Sequence, residues 1–388
     1  MVKNILIIKG ASQYGAARCF CDELQDGFCR LGHLVTMLDL TTFSDTIHTN
    51  LFDQFDMIFS FDLMGIEFYN AMDRKPFFWT MLIDPPIYLH KRLKQANGDI
   101  MVSCIDRRHV IYLDKYYKNI PWTCFMPHGG ITGAVPAQIS YSERKYDVIF
   151  LGSLAPFDSI NEVVDSLKKH YDPLVSEIIE AAMQNPDTEL DSIVTDTISS
   201  MGMNFDDDML REFMFIIRGI DTLKRYYKRK NLIDRLTENG VAVDIWGNGW
   251  DRIISNHNDL IRLHGEVTYE EAKYLISNSK ILINDMPPYH EGSHERVFAA
   301  MQCGTIVATD RSVYLEECFR NNKDIIFYDR NDIRNLTTTV SELLNDTKEA
   351  QNIIDNAYNL SLEHTWAMRA SSILEITDML HHDPFYHS

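Results

Sequence analysis

The sequence predicts an α/β protein of two Rossmann-like domains facing across a cleft, with a helical insertion in the second. Three observations predict this. Short apolar runs alternate with amphipathic stretches in both halves, which is the sequence form of a parallel sheet with helices on its faces. A Gly- and Pro-rich segment without periodicity, Pro127-His-Gly-Gly-Ile-Thr-Gly-Ala-Val-Pro136, divides the two series and reads as a flexible linker. The chain has 388 residues, 45% of them hydrophobic, with 20 Phe and 18 Tyr. That suits about two to three domains with a substantial core and argues against disorder.

In the first series Val2–Ile8 reads as a buried strand and Ser12–Leu31 as a helix. Strands follow at Leu34–Leu38, Met57–Phe61, Phe77–Leu82, Ile100–Ser103 and Thr123–Met126, each bounded by polar or turn residues. The second series has strands at Tyr146–Leu151, Ala242–Trp246, Lys280–Asn284, Thr305–Thr309 and Asp324–Tyr328. Between its first two strands lies a helical stretch from about Asn161 to Thr222, broken at Pro173 and Pro186. This is the insertion, about 156–222. The expected domains are 1–135 and 136–362, followed by 363–388 as a C-terminal helix returning to the first domain and a tail. Two open sheets joined in this way place a ligand cleft between their carboxyl ends.

Net charge is −19, divided as −1 over residues 1–140 and −18 over 141–388. Phosphate contacts would have to overcome the repulsion of the C-terminal half, so the charge argues against nucleic acid and anionic membrane as partners. The seven cysteines (19, 21, 29, 104, 124, 303, 318) are odd in number and lack a C-x-x-C pair, as expected of reduced, mostly buried thiols. The chain opens directly into a strand without a signal-peptide layout, and no apolar run approaches the roughly 20 residues of a membrane span. The expectation is a soluble cytoplasmic protein without a transmembrane segment.

The first loop, Gly10-Ala-Ser-Gln-Tyr-Gly15, lacks both G-x-G-x-x-G and the Lys-Ser/Thr of a P-loop. It reads either as a tight turn or as a helix N-terminus facing an anionic or hydroxyl-rich ligand. A stronger constellation runs from Asn284 to Asp310: strand, Pro/Gly loop, helix from about Ser293 to Gly304, strand. Ser293 is the expected N-cap, and Arg296 adds a full charge one turn in, a layout that suits a diphosphate. Asp206-Asp-Asp208 spells D-x-D but precedes a helix, where Asp is a common cap, so no metal site is assigned. Lys224-Arg-Tyr-Tyr-Lys-Arg-Lys230 reads as one or two cations for the cleft and otherwise a solvated face, while His381, His382 and His387 are incidental residues of a polar tail.

Gly292-Ser-His-Glu-Arg-Val-Phe-Ala-Ala-Met-Gln-Cys-Gly304 resembles the donor-site helix of GT-B glycosyltransferases of the group 1 type, in their spore-maturation (CgeB-type) branch. Asp244-Ile-Trp-Gly-Asn-Gly-Trp250, Leu263-His-Gly-Glu-Val-Thr-Tyr-Glu-Glu271 and Glu363-His-Thr-Trp-Ala-Met-Arg369 are similar to further segments of that branch. So, in the first domain, are Pro76-Phe-Phe-Trp-Thr-Met-Leu-Ile-Asp-Pro-Pro86 and Phe125-Met-Pro-His-Gly-Gly130. The order of these segments, from about residue 57 to 370, carries the resemblance.

The resemblance implies a GT-B fold and sugar transfer from a nucleotide-diphosphate sugar, a UDP-sugar, to an acceptor hydroxyl on a glycan, protein or small molecule. No metal and no tightly bound cofactor are expected, since the chain offers no well-placed carboxylate pair and a helix N-terminus with Arg can neutralise a diphosphate. The catalytic residues implied by the resemblance would be Glu291, Arg296, Arg229, His128 and Asp84. The donor would meet Gly10, Gly15, Trp246, Gly247, Asn248, Tyr269, Gly292, Ser293, His294 and Glu295. Glu291 and Ala299 fall on the family's Glu-x-seven-Glu pair, so the second acid, which holds the ribose in the family, is missing. Glu295 or backbone would have to stand in. Three other readings stay open: a nucleotide-sugar 2-epimerase of the same architecture, a nucleotide-binding protein without catalysis, and NAD-dependent redox chemistry using Gly10–Gly15 with Asp39.

Overall fold

The central strands of the first sheet are runs of Ile, Leu, Val, Phe, Trp and Met buried on both faces, which requires helices above and below. The computed structural model describes residues 3–42, 52–132, 139–251, 258–330 and 332–382. Strands β1 (Asn4–Lys9), β2 (Leu34–Asp39), β3 (Met57–Phe61), β4 (Phe77–Leu82), β5 (Ile100–Cys104) and β6 (Trp122–Phe125) form a parallel sheet in the order β2-β1-β3-β4-β5-β6. Its helices are α1 (Ala16–Arg30), α2 (Ile66–Asn70), α3 (His90–Leu93) and α4 (Arg107–Tyr116).

After β7 (Tyr146–Leu151) come five helices in a row: α5 (Phe157–Tyr171), α6 (Leu174–Gln184), α7 (Leu190–Ser200), α8 (Asp207–Ile217) and α9 (Gly219–Glu238). The chain then alternates through β8 (Val243–Trp246), β9 (Ile261–Leu263), α10 (Tyr269–Ser277), β10 (Ser279–Asn284), α11 (Glu295–Gln302), β11 (Ile306–Asp310), α12 (Val313–Cys318) and β12 (Ile326–Tyr328). This second sheet is also parallel, in the order β12-β11-β10-β7-β8-β9. Helices α13 (Ile333–Asn345), α14 (Thr347–Ser361) and α15 (Trp366–His382) end the described chain. Helix α15 lies along α1 so closely that a Cβ on Gly27 would sit 2.9 Å from that of Ala370.

The structure differs from the sequence expectation at four places. Strand β9 is short and mostly exposed, so it leaves no alternation to read. The first helix begins only at Ala16, because Tyr14 and Gly15 have φ of 57° and 76° and form a separate turn. The insertion does not stop at residue 222, since α9 runs unbroken from Gly219 to Glu238. Nor is the insertion an appendage of the second domain. Ile178 of α6, Val194 of α7 and Met214 of α8 share one apolar cluster with Leu93, Tyr112 and Leu113 of the first.

The linker is pinned as far as it is described. Gly130 donates to the His364 carbonyl (2.6 Å), and Ile131 N–H donates to Gln302 Oε1 (2.6 Å). The rest of the linker, the 135/136 boundary, the side chain of His382 and all of His387 lie outside the described residues. All seven cysteines are free thiols: Cys21, Cys104 and Cys303 are buried and Cys29 is exposed. Among the described residues no helix is long and apolar enough to cross a membrane.

Candidate active site

A cleft of about 1160 Å³ opens between the carboxyl ends of the two sheets. Its C-terminal wall is made by the loops after β7 and β8, the start of α10, helix α9 and the N-terminus of α11. Its N-terminal wall carries Tyr14, Asp84 and His128. Parallel strands end their loops on one side, and each sheet delivers those loops to the same gap. Glycine lets the two C-terminal loops meet. Gly247 has φ of 147°, and a Cβ there would lie 2.4 Å from the Gly152 carbonyl oxygen.

Two arginines flank the end of β7. Arg229 donates through Nε to Asp285 (2.8 Å) and through Nη1 to the Ser153 carbonyl. Asp285, only 1% exposed, is also gripped by Arg330, and these cations hold its carboxyl well below the usual range against the effect of burial. Burial draws Arg229 down to about 10. The guanidinium of Arg229 lines the cleft, but its charge is already balanced by Asp285. Arg296 donates through Nη1 to the Leu151 carbonyl and has no carboxylate nearer than Glu295 at 3.9 Å.

The N-terminus of α11 holds a buried polar chain. His294 Nδ1 lies 2.5 Å from Glu295 Oε2, and its Nε2 lies 3.1 Å from Arg296 Nη2. The contact of Nδ1 with the Arg296 N–H is longer, at 3.3 Å. Desolvation lowers the pKa of the His294 ring, so the ring is neutral near pH 7. Contact with His294 and the charge of Arg296 hold Glu295 ionised far below its normal range although burial opposes it. His128 itself is 3% exposed and is pushed down to about 4 by burial; it packs edge-on to Phe20 and Trp366.

Of the expected site residues, Asp84, His128, Arg229, Trp246, Gly247, Asn248, Tyr269, His294, Glu295 and Arg296 line this cleft. Trp246 is only 6% exposed, its ring stacked on His264 at 4.2 Å. Asn248 N–H donates to Ser153 Oγ and its side chain to Glu266. Ala299 lines the cleft as well.

Five expected residues do not line it. Gly10 is buried, and a Cβ there would strike the Met64 sulfur at 1.8 Å. Gly15 serves the left-handed turn that opens α1. Glu291 turns to Arg108 of the first domain at 3.2 Å. Gly292 forms an antiparallel bridge with Asp106, where a Cβ would lie 2.1 Å from the Ile105 carbonyl. Ser293 is not the N-cap, which is His294; its Oγ accepts the His128 N–H at 3.0 Å. Residues 291–293 therefore clamp the loop after β10 onto the first domain. Tyr289 extends the clamp by donating to the Ile83 carbonyl (2.8 Å).

Sequence reasoning missed Tyr14, whose hydroxyl crosses the cleft to Ser153 Oγ (2.6 Å), and also Glu266. A positive φ at Tyr14 has no sequence signature. Asp39, the anchor of the dinucleotide reading, is taken by Arg18 at 3.0 and 2.5 Å and by Thr41.

Known structures resemble this architecture over nearly its whole length. Sucrose-phosphate synthase from Thermosynechococcus elongatus is 11% identical, with 97% of this chain and 99% of that one covered and a TM-score of 0.57. HepE from Anabaena, in complex with UDP and glucose, is 11% identical, covers 97% of this chain and 100% of its own, and gives 0.56. The fold is GT-B. An α-glucosyltransferase in complex with UDP-glucose and DNA containing an abasic site is 13% identical over 98% of this chain and 99% of that one, with a TM-score of 0.56. In sequence, residues 225–375 match a family model described as glycosyl transferase-like. No curated protein matches the chain in sequence.

The DNA-bound GT-B structure overturns one expectation. A net charge of −18 on the C-terminal half does not exclude nucleic acid, because binding depends on the local field of the acceptor-facing surface and not on the chain's total.

Proposed function

We propose that this GT-B protein is a glycosyltransferase that moves a sugar from a UDP-sugar to an acceptor hydroxyl, without a metal ion. The observation that carries the reading is the end of β7, where the guanidiniums of Arg229 and Arg296 and the N-terminus of α11 converge on one cleft. Breaking the sugar–phosphate bond builds negative charge on the departing diphosphate, and fixed donors in a desolvated cleft stabilise that charge. Arginine suits the task because its planar fork bridges two phosphate oxygens and stays charged when dehydrated. Support comes also from the glycosyl transferase-like match over 225–375 and from GT-B neighbours bound to UDP or UDP-glucose. The sequence resemblance supports assigning it to the spore-maturation branch.

In this reading the loop after β8 and Tyr269 hold the nucleotide, and Glu295, one turn before Ala299, takes the ribose in place of the missing acid. The first domain faces the acceptor, which is a glycan, protein, small molecule or nucleic acid carrying a free hydroxyl. The clamp at 289–293 and the insertion hold the two domains together and limit the entry of water, which would compete as acceptor.

The test is a panel of sugar nucleotides. UDP should bind by calorimetry, and UDP should be released from one donor faster with acceptor present than without. Release of free sugar and UDP at a rate no acceptor changes would point to the epimerase reading. UDP binding with no turnover of any donor would point to a binding protein, the reading that Ala299 in the cleft favours. Failure to bind any nucleoside diphosphate refutes the proposal.

A further inference from the structure

Asp84 lines the N-terminal wall and Asp62 stands behind it, and the donor reading uses neither. Asp62 follows β3 and Asp84 lies just beyond β4, on neighbouring strands. Asp62 and Leu63 have φ of 51° and 56°, a left-handed turn that residues with side chains rarely adopt. The surroundings enforce it: Thr80 Oγ1 accepts the Leu63 N–H (2.8 Å), and Arg92 donates to the Asp62 carbonyl (2.9 Å). The turn sets Asp62 Oδ1 beneath the next loop, where it accepts the N–H groups of Ile83 (2.9 Å) and Asp84 (3.3 Å). Asp84 lines the cleft.

Across from Asp84 stands Arg225, one turn before Arg229 on α9. Four cationic side chains line the cleft. Lys273 is paired with Glu270 (2.7 Å), Arg229 with Asp285, and Arg296 is bonded to Leu151 and His294. Among the described residues Arg225 alone of the four has no hydrogen-bond or ion-pair partner, although it is desolvated. A half-buried guanidinium without a protein partner in a substrate cleft is free to donate to an oxygen of the ligand.

We propose that Asp84 and Arg225 form the acceptor subsite, Asp84 accepting the hydrogen bond of the incoming hydroxyl and Arg225 donating to a second oxygen beside it, with Asp62 as the positioning residue that fixes Asp84. The proposal rests on the glycosyl-transfer reading and names the acceptor as a neutral group with two neighbouring oxygens. The groups facing Asp84 are Asp62, Arg225, Tyr88 and Tyr289; Arg92 faces Asp62. Burial and the adjacent Asp84 carboxylate push Asp62 up to about 8. Asp84 is exposed to the cleft, and partial desolvation there raises it against the pull of Arg225. Below about pH 8 Asp62 is therefore protonated and neutral behind Asp84. Above pH 8 its own charge forms beside Asp84 and disturbs the subsite.

Two measurements test this. Carbon-13 NMR of carboxyl-labelled aspartate needs no substrate: one carboxyl should titrate near pH 8, disappear in Asp62→Asn and fall toward the ordinary range in Asp84→Asn. Release of UDP from UDP-glucose, with water as the smallest hydroxyl acceptor, is then followed between about pH 5.5 and 9.5. The wild-type rate should fall above about pH 8, and Asp62→Asn should abolish that fall. Arg225→Gln should move the acid limb to higher pH, and Asp84→Asn should cost about ten-fold or more, while UDP affinity stays within about three-fold in every variant. An alkaline limb unchanged in Asp62→Asn, or no carboxyl titrating near pH 8, overturns the inference. Wild-type protein that fails to bind UDP, or to release it from any UDP-sugar of the panel, overturns the donor reading instead, and the NMR result still decides the pair.

Discussion

Replacing Arg296 by Ala removes a guanidinium that lines the cleft and is 13% exposed in its side chain. No carboxylate lies closer to it than 3.9 Å, so most of its charge is available to an anionic ligand. A fixed donor aimed at developing charge in a closed site is worth about 3–4 kcal/mol, or roughly a hundred- to thousand-fold in rate. The same substitution strips Glu295 of one partner but leaves His294 at 2.5 Å, so the folding cost should stay near about 1–3 kcal/mol. At about 2.1 cal/mol/K per residue, a chain of 388 residues loses about 1–4 °C in Tm for that cost. The assay is the single-turnover rate at saturating donor, with Tm measured alongside and Arg296→Lys as the control that keeps charge without the fork. If Arg296→Ala folds and keeps more than about a third of the wild-type rate, the diphosphate does not lie at α11 and the donor assignment is wrong.

Turnover should survive EDTA, since arginines and a helix terminus offset the diphosphate charge; loss in EDTA restored by Mn²⁺ or Mg²⁺ refutes this. Glu291→Gln should leave turnover within about three-fold, because the carboxylate faces Arg108 outside the cleft; a ten-fold loss with unchanged Tm would place it on the donor. Gly292→Ala should destabilise by about 3 kcal/mol or more, read by denaturant unfolding, because its Cβ would overlap the Ile105 carbonyl; a change below about 1 kcal/mol means the clamp yields. Acid should destabilise the fold early. His109, His128 and His364 are pushed by burial to about 4, below the unfolded value near 6.5, so the unfolded state binds more protons between those limits. Stability is full above about pH 6.5 and should fall by about 2 kcal/mol per histidine at pH 5; His109→Phe should flatten the slope, and an unchanged slope counts against the buried neutral ring.

Legibility in the sequence followed the range of the forces involved. Apolar runs marked eleven of the twelve strands among the described residues to within a few residues, since a strand buried on both faces must be apolar along its length whatever packs on it. The cleft loops after β7, β8 and β10 were placed for the same reason, because each follows directly from a strand end. The helix start beyond Ser293 was missed by one residue, as His294 caps instead, and a local Ser-His choice has no periodic signal. What only tertiary structure decided was partnership. Arg229 and Arg225 lie one turn apart on the same helix and are chemically identical, yet Asp285 neutralises one and leaves the other free. Glu291 matched a motif, and Arg108 of the other domain turns it away from the cleft. Helices α6 to α8 belong to the second domain in chain order and to the first in packing. Amphipathic spacing shows that a helix buries one face, but the surface that covers it is set by contacts between residues distant in sequence.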